Sequence, residues 1–256
     1  MTARQLILLA LPLSFILVSS IDAYAQDEGF TADRPGATTG VDVLPKGRLQ
    51  LESGFALEHT NLDAPSENKW TFNTSMLRWG FSDYAELRLQ AAWLNTNGKG
   101  YEHEGFSDVT AGFKAKIFEG WKAVPAVSFL GNILIPGGHN NEYLPKHLGG
   151  QMGLLFENPI TSWLSLGYEA DIIWSDSSSP SVFWGFCLGF DLSERVFIGL
   201  EEFNISSPLV TQSMAELSVG WMVTPRLQLD LGTDISLQHP DKFHNLMLGI
   251  SWQITK

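Results

Sequence analysis

Apolar and polar residues alternate along about a dozen short segments of this 256-residue chain. In the first, Leu49, Leu51, Phe55 and Leu57 share one face, and Arg48, Gln50, Glu52, Gly54 and Glu58 the other. The same division sets Leu87, Leu89, Ala91 and Trp93 against Glu86, Arg88 and Gln90, and Val109, Ala111, Phe113, Ala115 and Ile117 against Asp108, Thr110, Lys114 and Lys116. Further on, Leu164, Leu166, Tyr168, Ala170 and Ile172 oppose Ser165, Glu169 and Asp171. Leu227, Leu229, Leu231 and Ile235 oppose Gln228, Asp230 and Asp234, and Leu246, Leu248, Ile250 and Trp252 oppose Asn245, Ser251 and Gln253. A period of two predicts strands whose two faces meet different surroundings. Two segments break the rule. Leu77 and Trp79 are out of phase with Phe72 and Met76, which a bulge between them would repair. Glu201 and Glu202 are adjacent, so one of them faces outward unless the strand has already left the membrane.

The connections alternate as well. Glu58–Lys69, Asn95–Glu104, Pro136–His147, Ser175–Ser181, Asn204–Thr211 and Gln238–Lys242 are long. Ser82–Tyr84, Glu119–Trp121, Asn158–Ser162, Leu192–Glu194 and Thr224–Pro225 are short. In an antiparallel meander, odd and even connections lie at opposite ends. Short turns at one end and longer loops at the other predict an all-β, transmembrane, up-and-down barrel of about 12 strands, of the bacterial outer-membrane kind. The charged residues of the segments above keep to the faces opposite the apolar ones. That follows from the cost of a basic side chain facing lipid near mid-membrane, about 2–4 kcal/mol. Trp79, Trp121, Trp163, Trp221 and Trp252 fall at the short-turn end, and Trp70, Trp93 and Trp174 near the long loops, as interfacial girdles require.

The first residues set the compartment. One positive charge within Met1–Arg4, an apolar Leu6–Val18 and the small-x-small run Ala23, Tyr24, Ala25 predict a signal peptide over residues 1–25, cleaved before Gln26. Residues 26–46 then form an N-terminal periplasmic or lumen-plugging segment, and 47–256 the barrel. The single cysteine, Cys187, excludes a disulfide and a cysteine-based metal site. A net charge of −12 argues against nucleic acid as a partner. Outer-membrane lipids, and the barrel-assembly machinery during biogenesis, are the expected partners.

The segment after the cleavage point carries a family resemblance. Asp33, Arg34 and Pro35 are followed by Thr38, then Val43-Leu44-Pro45-Lys46-Gly47 and Gln50-Leu51-Glu52-Ser53-Gly54. Leu77 to Ser82, Glu86-Leu87-Arg88, Asp108, Gly112, Lys114 and Leu229-Asp230 extend it over nearly the whole mature chain. The chain resembles the outer-membrane transporter family named for the meta-pathway of phenol degradation. Ala32 stands where that family typically has threonine, and the chain closes on Lys256 rather than on an aromatic residue. The resemblance implies an outer-membrane barrel that passes small hydrophobic or aromatic compounds, without naming the solute.

Chemistry is sparse elsewhere. The six histidines, His59, His103, His139, His147, His239 and His244, fall in or beside long connections and read as solvated, so no metal is expected. Ser107 or Ser178 with His103 or His139 could imitate a Ser/His pair, but no Gly-x-Ser-x-Gly motif supports it, so no catalytic residue is assigned. No motif implies a cofactor. The inward face is the best candidate: Glu52, Arg78, Glu86, Arg88, Lys114, Lys116, Glu169, Asp171, Glu216 and Asp230, with Glu157, Glu201 and Asp234. Both signs are present, so the lumen of so small a barrel is expected to be narrow and partly blocked. Asp33, Arg34 and Pro35 are plug candidates, Arg34 pairing an inward carboxylate such as Glu52, Glu216 or Asp230. Passive or facilitated passage of small solutes leads the functional readings. A closed structural or surface-recognition barrel and a lipid-modifying enzyme are the alternatives.

Overall fold

The computed structural model describes residues 30–255 apart from 62–66, 99–100, 138–142, 176–178 and 208–210. The signal peptide and its cleavage point lie outside the described residues. The strands are β1 (Leu49–Thr60), β2 (Glu67–Ser82), β3 (Ala85–Gly98), β4 (Tyr101–Phe118), β5 (Ala126–Leu134) and β6 (Gly149–Pro159), then β7 (Leu164–Trp174), β8 (Ser181–Ser193), β9 (Val196–Ser206), β10 (Thr211–Thr224), β11 (Leu227–Ser236) and β12 (Phe243–Gln253). Each pairs antiparallel with the next, and β12 closes on β1 from Gln50↔Gln253 to Thr60↔Phe243. Closure leaves no strand edge. In lipid that is obligatory, because an unpaired backbone group has no water to turn to.

The side chains are arranged inside out relative to a soluble protein. Leu77, Leu89, Phe113, Leu229 and Leu248 are exposed, while Arg78, Lys114, Gln50, Glu52 and Glu86 are fully buried. Such an exterior is stable against hydrocarbon, not water. Trp79, Trp121, Trp163, Trp221 and Trp252 are exposed at the short-turn end, and Trp93, Trp174 and Trp184 near the loop end, which bounds the apolar band at both interfaces. Glu202 faces outward and its neighbour Glu201 inward. The break in β2 is a bulge: its register slips between Phe72 and Ser75 against β3, and opposite Gly54 and Ala56 of β1. Past it, Met76 and Arg78 turn inward and Leu77 and Trp79 outward.

Three expectations need correction. Asn95–Glu104 is not a long loop, because β3 and β4 stay paired from Asn95↔Glu104 to Gly98↔Tyr101. Above the bilayer, alternation no longer marks a strand, yet the ladder continues, helped by Asn95 Nδ2 donating to Glu102 Oε1 at 3.2 Å. Similarly β1 runs to Thr60 and β2 begins at Glu67, which shortens the first loop. Val109 lines an internal cavity rather than belonging only to the lipid face. The β3–β4 register slips beside it, Gln90 facing Thr110 but Ala92 facing Ser107, and a slip of that kind re-aims the chain.

Candidate functional site in the lumen

Residues Phe30–Lys46, ahead of β1, lie inside the barrel. The segment leaves the short-turn rim at Lys46, whose N–H donates to Asp83 at 3.2 Å. Followed backwards, it climbs to a tip at Asp33–Thr39 and descends again to Thr31 and Phe30. Phe30, Val41, Val43 and Leu44 are buried. Val41 packs with Leu130 of β5 and Leu155 of β6, two apolar residues that point inward.

On β2–β4 the wall is basic. Arg78 bonds Glu52 at 2.6 Å and Glu86 at 2.8 Å. Asp33 reaches into this group, 2.5 Å from Arg88, 2.8 Å from Lys114 and 3.6 Å from Arg78. Arg78, Arg88 and Lys114 then stand against Glu52, Glu86 and Asp33, so that the segment's carboxylate completes a balanced set. Burial alone raises the Asp33 pKa, but Arg78, Lys114 and Arg88 together outweigh it and hold the carboxyl well below the usual carboxylate range. Backbone groups join in: Asp33 N–H donates to Glu52, Leu44 N–H to Glu86 at 2.8 Å, and Lys114 Nζ to Gly40 O at 2.8 Å. Lower down, Lys116 Nζ meets Asp42 at 3.1 Å.

On β7–β11 the wall is acidic, and the segment presents donors to it. Arg34 lies 3.0 Å from Asp230. Ala37 N–H, Thr38 N–H and Thr38 Oγ1 donate to Glu201 at 3.1, 2.9 and 2.9 Å, and Thr39 N–H donates to Glu169 at 2.6 Å. Gly36, with φ of 121°, lets the chain turn while its α-carbon lies against the Glu201 carboxylate. Pro35 sits between, its peptide to Arg34 being cis, and lines a cavity described below.

The inward candidates therefore divide. Glu52, Arg78, Glu86, Arg88, Lys114, Lys116, Glu169, Glu201 and Asp230 contact the N-terminal segment. Asp171 instead accepts from Gln151 at 2.5 Å, and Glu216 and Asp234 each keep one buried carboxylate oxygen with no partner among the described residues. Sequence reasoning did not single out Gln50, Ser128 and Gln228, which bond Thr31 O at 2.8 Å, Val41 O at 2.5 Å and Arg34 O at 2.7 Å. Inward parity was the available signal, since Gln50 and Gln228 share the face of Glu52 and Asp230. Gly54 and Gly249 were missed too. They are cross-strand partners, and an added Cβ on either would collide with the Arg34 guanidinium.

Two smaller cavities flank the tip. One, about 180 Å³, lies against β1–β3 beside Glu52, Met76, Arg88 and Gln90. The other, about 210 Å³, lies toward the short-turn end against β6–β9 beside Pro35, Glu157, Tyr168 and Glu201. Two of the histidines pair: His59 and His244 are cross-strand partners with ring centroids 5.1 Å apart. Among the described residues no group of three metal-ligating side chains occurs. Ser107 is buried four residues from the exposed His103, roughly 13 Å along a strand, too far for a nucleophile and its base. Ser178 and His139 lie outside the described residues.

The sequence profile described as "Putative MetA-pathway of phenol degradation" matches residues 32–252. None of the curated proteins matches the chain. Among solved structures, an outer membrane channel from Pseudomonas putida F1 superposes with a TM-score of 0.62 at 14% identity, over 86% of this chain and 99% of that one. The NanC porin gives 0.52 at 9% identity, over 80% of this chain and 100% of that one. The translocator domain of the autotransporter NalP from Neisseria meningitidis gives 0.51 at 11% identity, over 83% and 90%. These likenesses are of fold, and they place the barrel among those of the bacterial outer membrane.

Proposed function

This chain belongs to the family described as "Putative MetA-pathway of phenol degradation", and we propose that it is a narrow, passive outer-membrane channel for small solutes, phenolic and other aromatic compounds among them. The observation that carries this reading is the way Asp33–Thr39 crosses the lumen. It fastens to both walls and leaves a cavity on either flank. A lumen so divided suits small solutes that slip past a tethered segment, not hydrated polymers. The aromatic preference comes from the family's description, and the outer membrane channel of similar fold supports the channel reading. We read the chain as a channel and not an enzyme, and as one that reaches its membrane through the barrel-assembly machinery.

The test compares the mature chain with a form lacking Gln26–Val41, both refolded into planar bilayers and liposomes. The expected result is small conductance and measurable phenol uptake in the mature chain, with larger conductance in the deletion. The completeness of the two-walled fastening also favours a second reading, a barrel closed in all its states. Absence of conductance and of solute uptake from both forms would establish that second reading and overturn the first.

A further inference from the structure

The largest described cavity, about 510 Å³, is not part of the charged lumen network. It lies toward the loop end, between β3–β7 and the loop that connects β5 to β6, and its size falls within the roughly 300–1,000 Å³ of small-molecule sites. The described residues Tyr143–Pro145 of that loop are anchored by the Tyr143 hydroxyl, which donates to His103 O at 2.7 Å, and by Pro145 O, which accepts from Gly137 N–H at 3.1 Å.

The lining chemistry is distinct. Val109, Leu134, Leu144, Pro145 and Ile173 give it an apolar surface. Gln90, Thr110, Gln151 and Tyr143 add amides and hydroxyls, and none of the described lining residues carries a charge. The cavities flanking the tip, by contrast, each include Asp33 and at least one further ionisable side chain. Gln151 is held in place, its Oε1 accepting from Asn132 at 2.9 Å and its Nε2 donating to Asp171 at 2.5 Å. The two bonds fix the orientation of the Gln151 amide. The β3–β4 register slip directs Val109 and Thr110 into the same space. Slips of this kind recur beside binding sites, where they re-aim side chains. Gln90 lines both this cavity and the one against β1–β3, so the two lie in series along the lumen.

We propose that this cavity is the entry binding site of the channel, and that it takes an uncharged solute with an apolar, ring-sized body and a hydroxyl or amide group. The proposal rests on the channel reading above. A charged solute would find no ionised partner among the described lining residues, and burying it so costs more than its ring recovers. An uncharged alcohol keeps its hydrogen bonds through Thr110, Gln90 or Gln151.

The test is a fluorine NMR titration of the full mature barrel in nanodiscs, with 4-fluorobenzyl alcohol as probe and 4-fluorobenzoate and 4-fluorobenzylamine as its charged isosteres. The alcohol should bind saturably, and each isostere at least about tenfold more weakly. Thr110→Trp, which fills the cavity from the wall, and Leu144→Trp, which fills it from the loop, should each weaken the alcohol by at least about tenfold while the barrel still migrates as folded on unheated gels. Leu144 lies outside the strands, so its variant tests the site even if Thr110→Trp fails to fold. Equal binding of all three probes, or undiminished alcohol binding in a folded Leu144→Trp variant, overturns the proposal. Liposome uptake of phenol separates the two readings. Binding without uptake overturns the channel, whereas uptake without saturable binding overturns only this site.

Discussion

Asp33 and Arg34 are neighbours in sequence, yet they are fastened to opposite charges on walls separated by β1 and β12. Asp33 meets Arg88 and Lys114 at 2.5 and 2.8 Å, and Arg34 meets Asp230 at 3.0 Å. One dipeptide thereby fixes both the depth and the rotation of the segment, because moving it toward either wall breaks the pair on the other. Arg34→Gln and Asp230→Asn should each remove a charge-assisted bond worth about 1.5–3 kcal/mol. The undocked population should rise by one to two orders of magnitude, read as more frequent large-conductance openings and faster tryptic cleavage at Lys46. Unchanged openings in both variants would show that the Arg34–Asp230 pair does not hold the tip.

Gly54 and Gly249 form the bare patch of wall on which the Arg34 guanidinium lies. Alanine at either position is compatible with a strand, so the barrel should fold with its usual heat-modifiability. The added methyl must push the guanidinium aside and so loosen the Asp230 contact. Gly54→Ala and Gly249→Ala are therefore expected to mimic Arg34→Gln in conductance, and neither should add to it in the double variant. An additive effect would mean that the glycines serve the barrel itself.

Lipid makes this fold readable. Its penalty on polar groups forces a period of two through every membrane-spanning strand, so that the facing of Leu89, Lys114 and Leu229 and the phase break at Leu77 can be read without coordinates. Where lipid ends, the signal ends: the hairpin from Asn95 to Glu104 is polar on both faces and reads as a loop. The site is harder. Inward parity gathers Glu52, Glu201 and Asp230 into one class, but which of them meets Arg34 depends on strand register and on the depth of the tip. A sequence also shows no difference between a glycine that seats Arg34 and one in open wall, because the reason lies about 200 residues away, between Arg34 and Gly249.

The exterior gives a prediction independent of the lumen. Leu231 is exposed at mid-strand between Leu229 and Thr233, opposite Leu248 and Val219. Leu231→Arg places a cation against hydrocarbon and should cost about 2–4 kcal/mol of folding stability in bilayers. Denaturant titration in liposomes should show the loss, while Asp241→Asn, in the exposed connection before β12, should leave the midpoint unchanged. An equal midpoint for Leu231→Arg would mean that this face is not against lipid.

The last prediction follows from the depressed pKa of Asp33. In the docked state its carboxyl titrates well below the usual range, because three cations outweigh the effect of burial. In the undocked state it titrates near the ordinary value of about 3.9. Since the undocked state binds the proton more readily, the docking stability that Asp33 contributes is full above about pH 4 and declines as pH falls toward the docked value. Asp33→Asn lacks this contribution at every pH, so the variant isolates it from the other titrating groups of the lumen. Open probability should be higher in Asp33→Asn than in the native chain by a constant factor from pH 7 down to about 4.5, and the gap should narrow only in stronger acid. A gap that halves between pH 5 and 6 would mean that Asp33 is not held by its cations, and the two-walled fastening would fail with it.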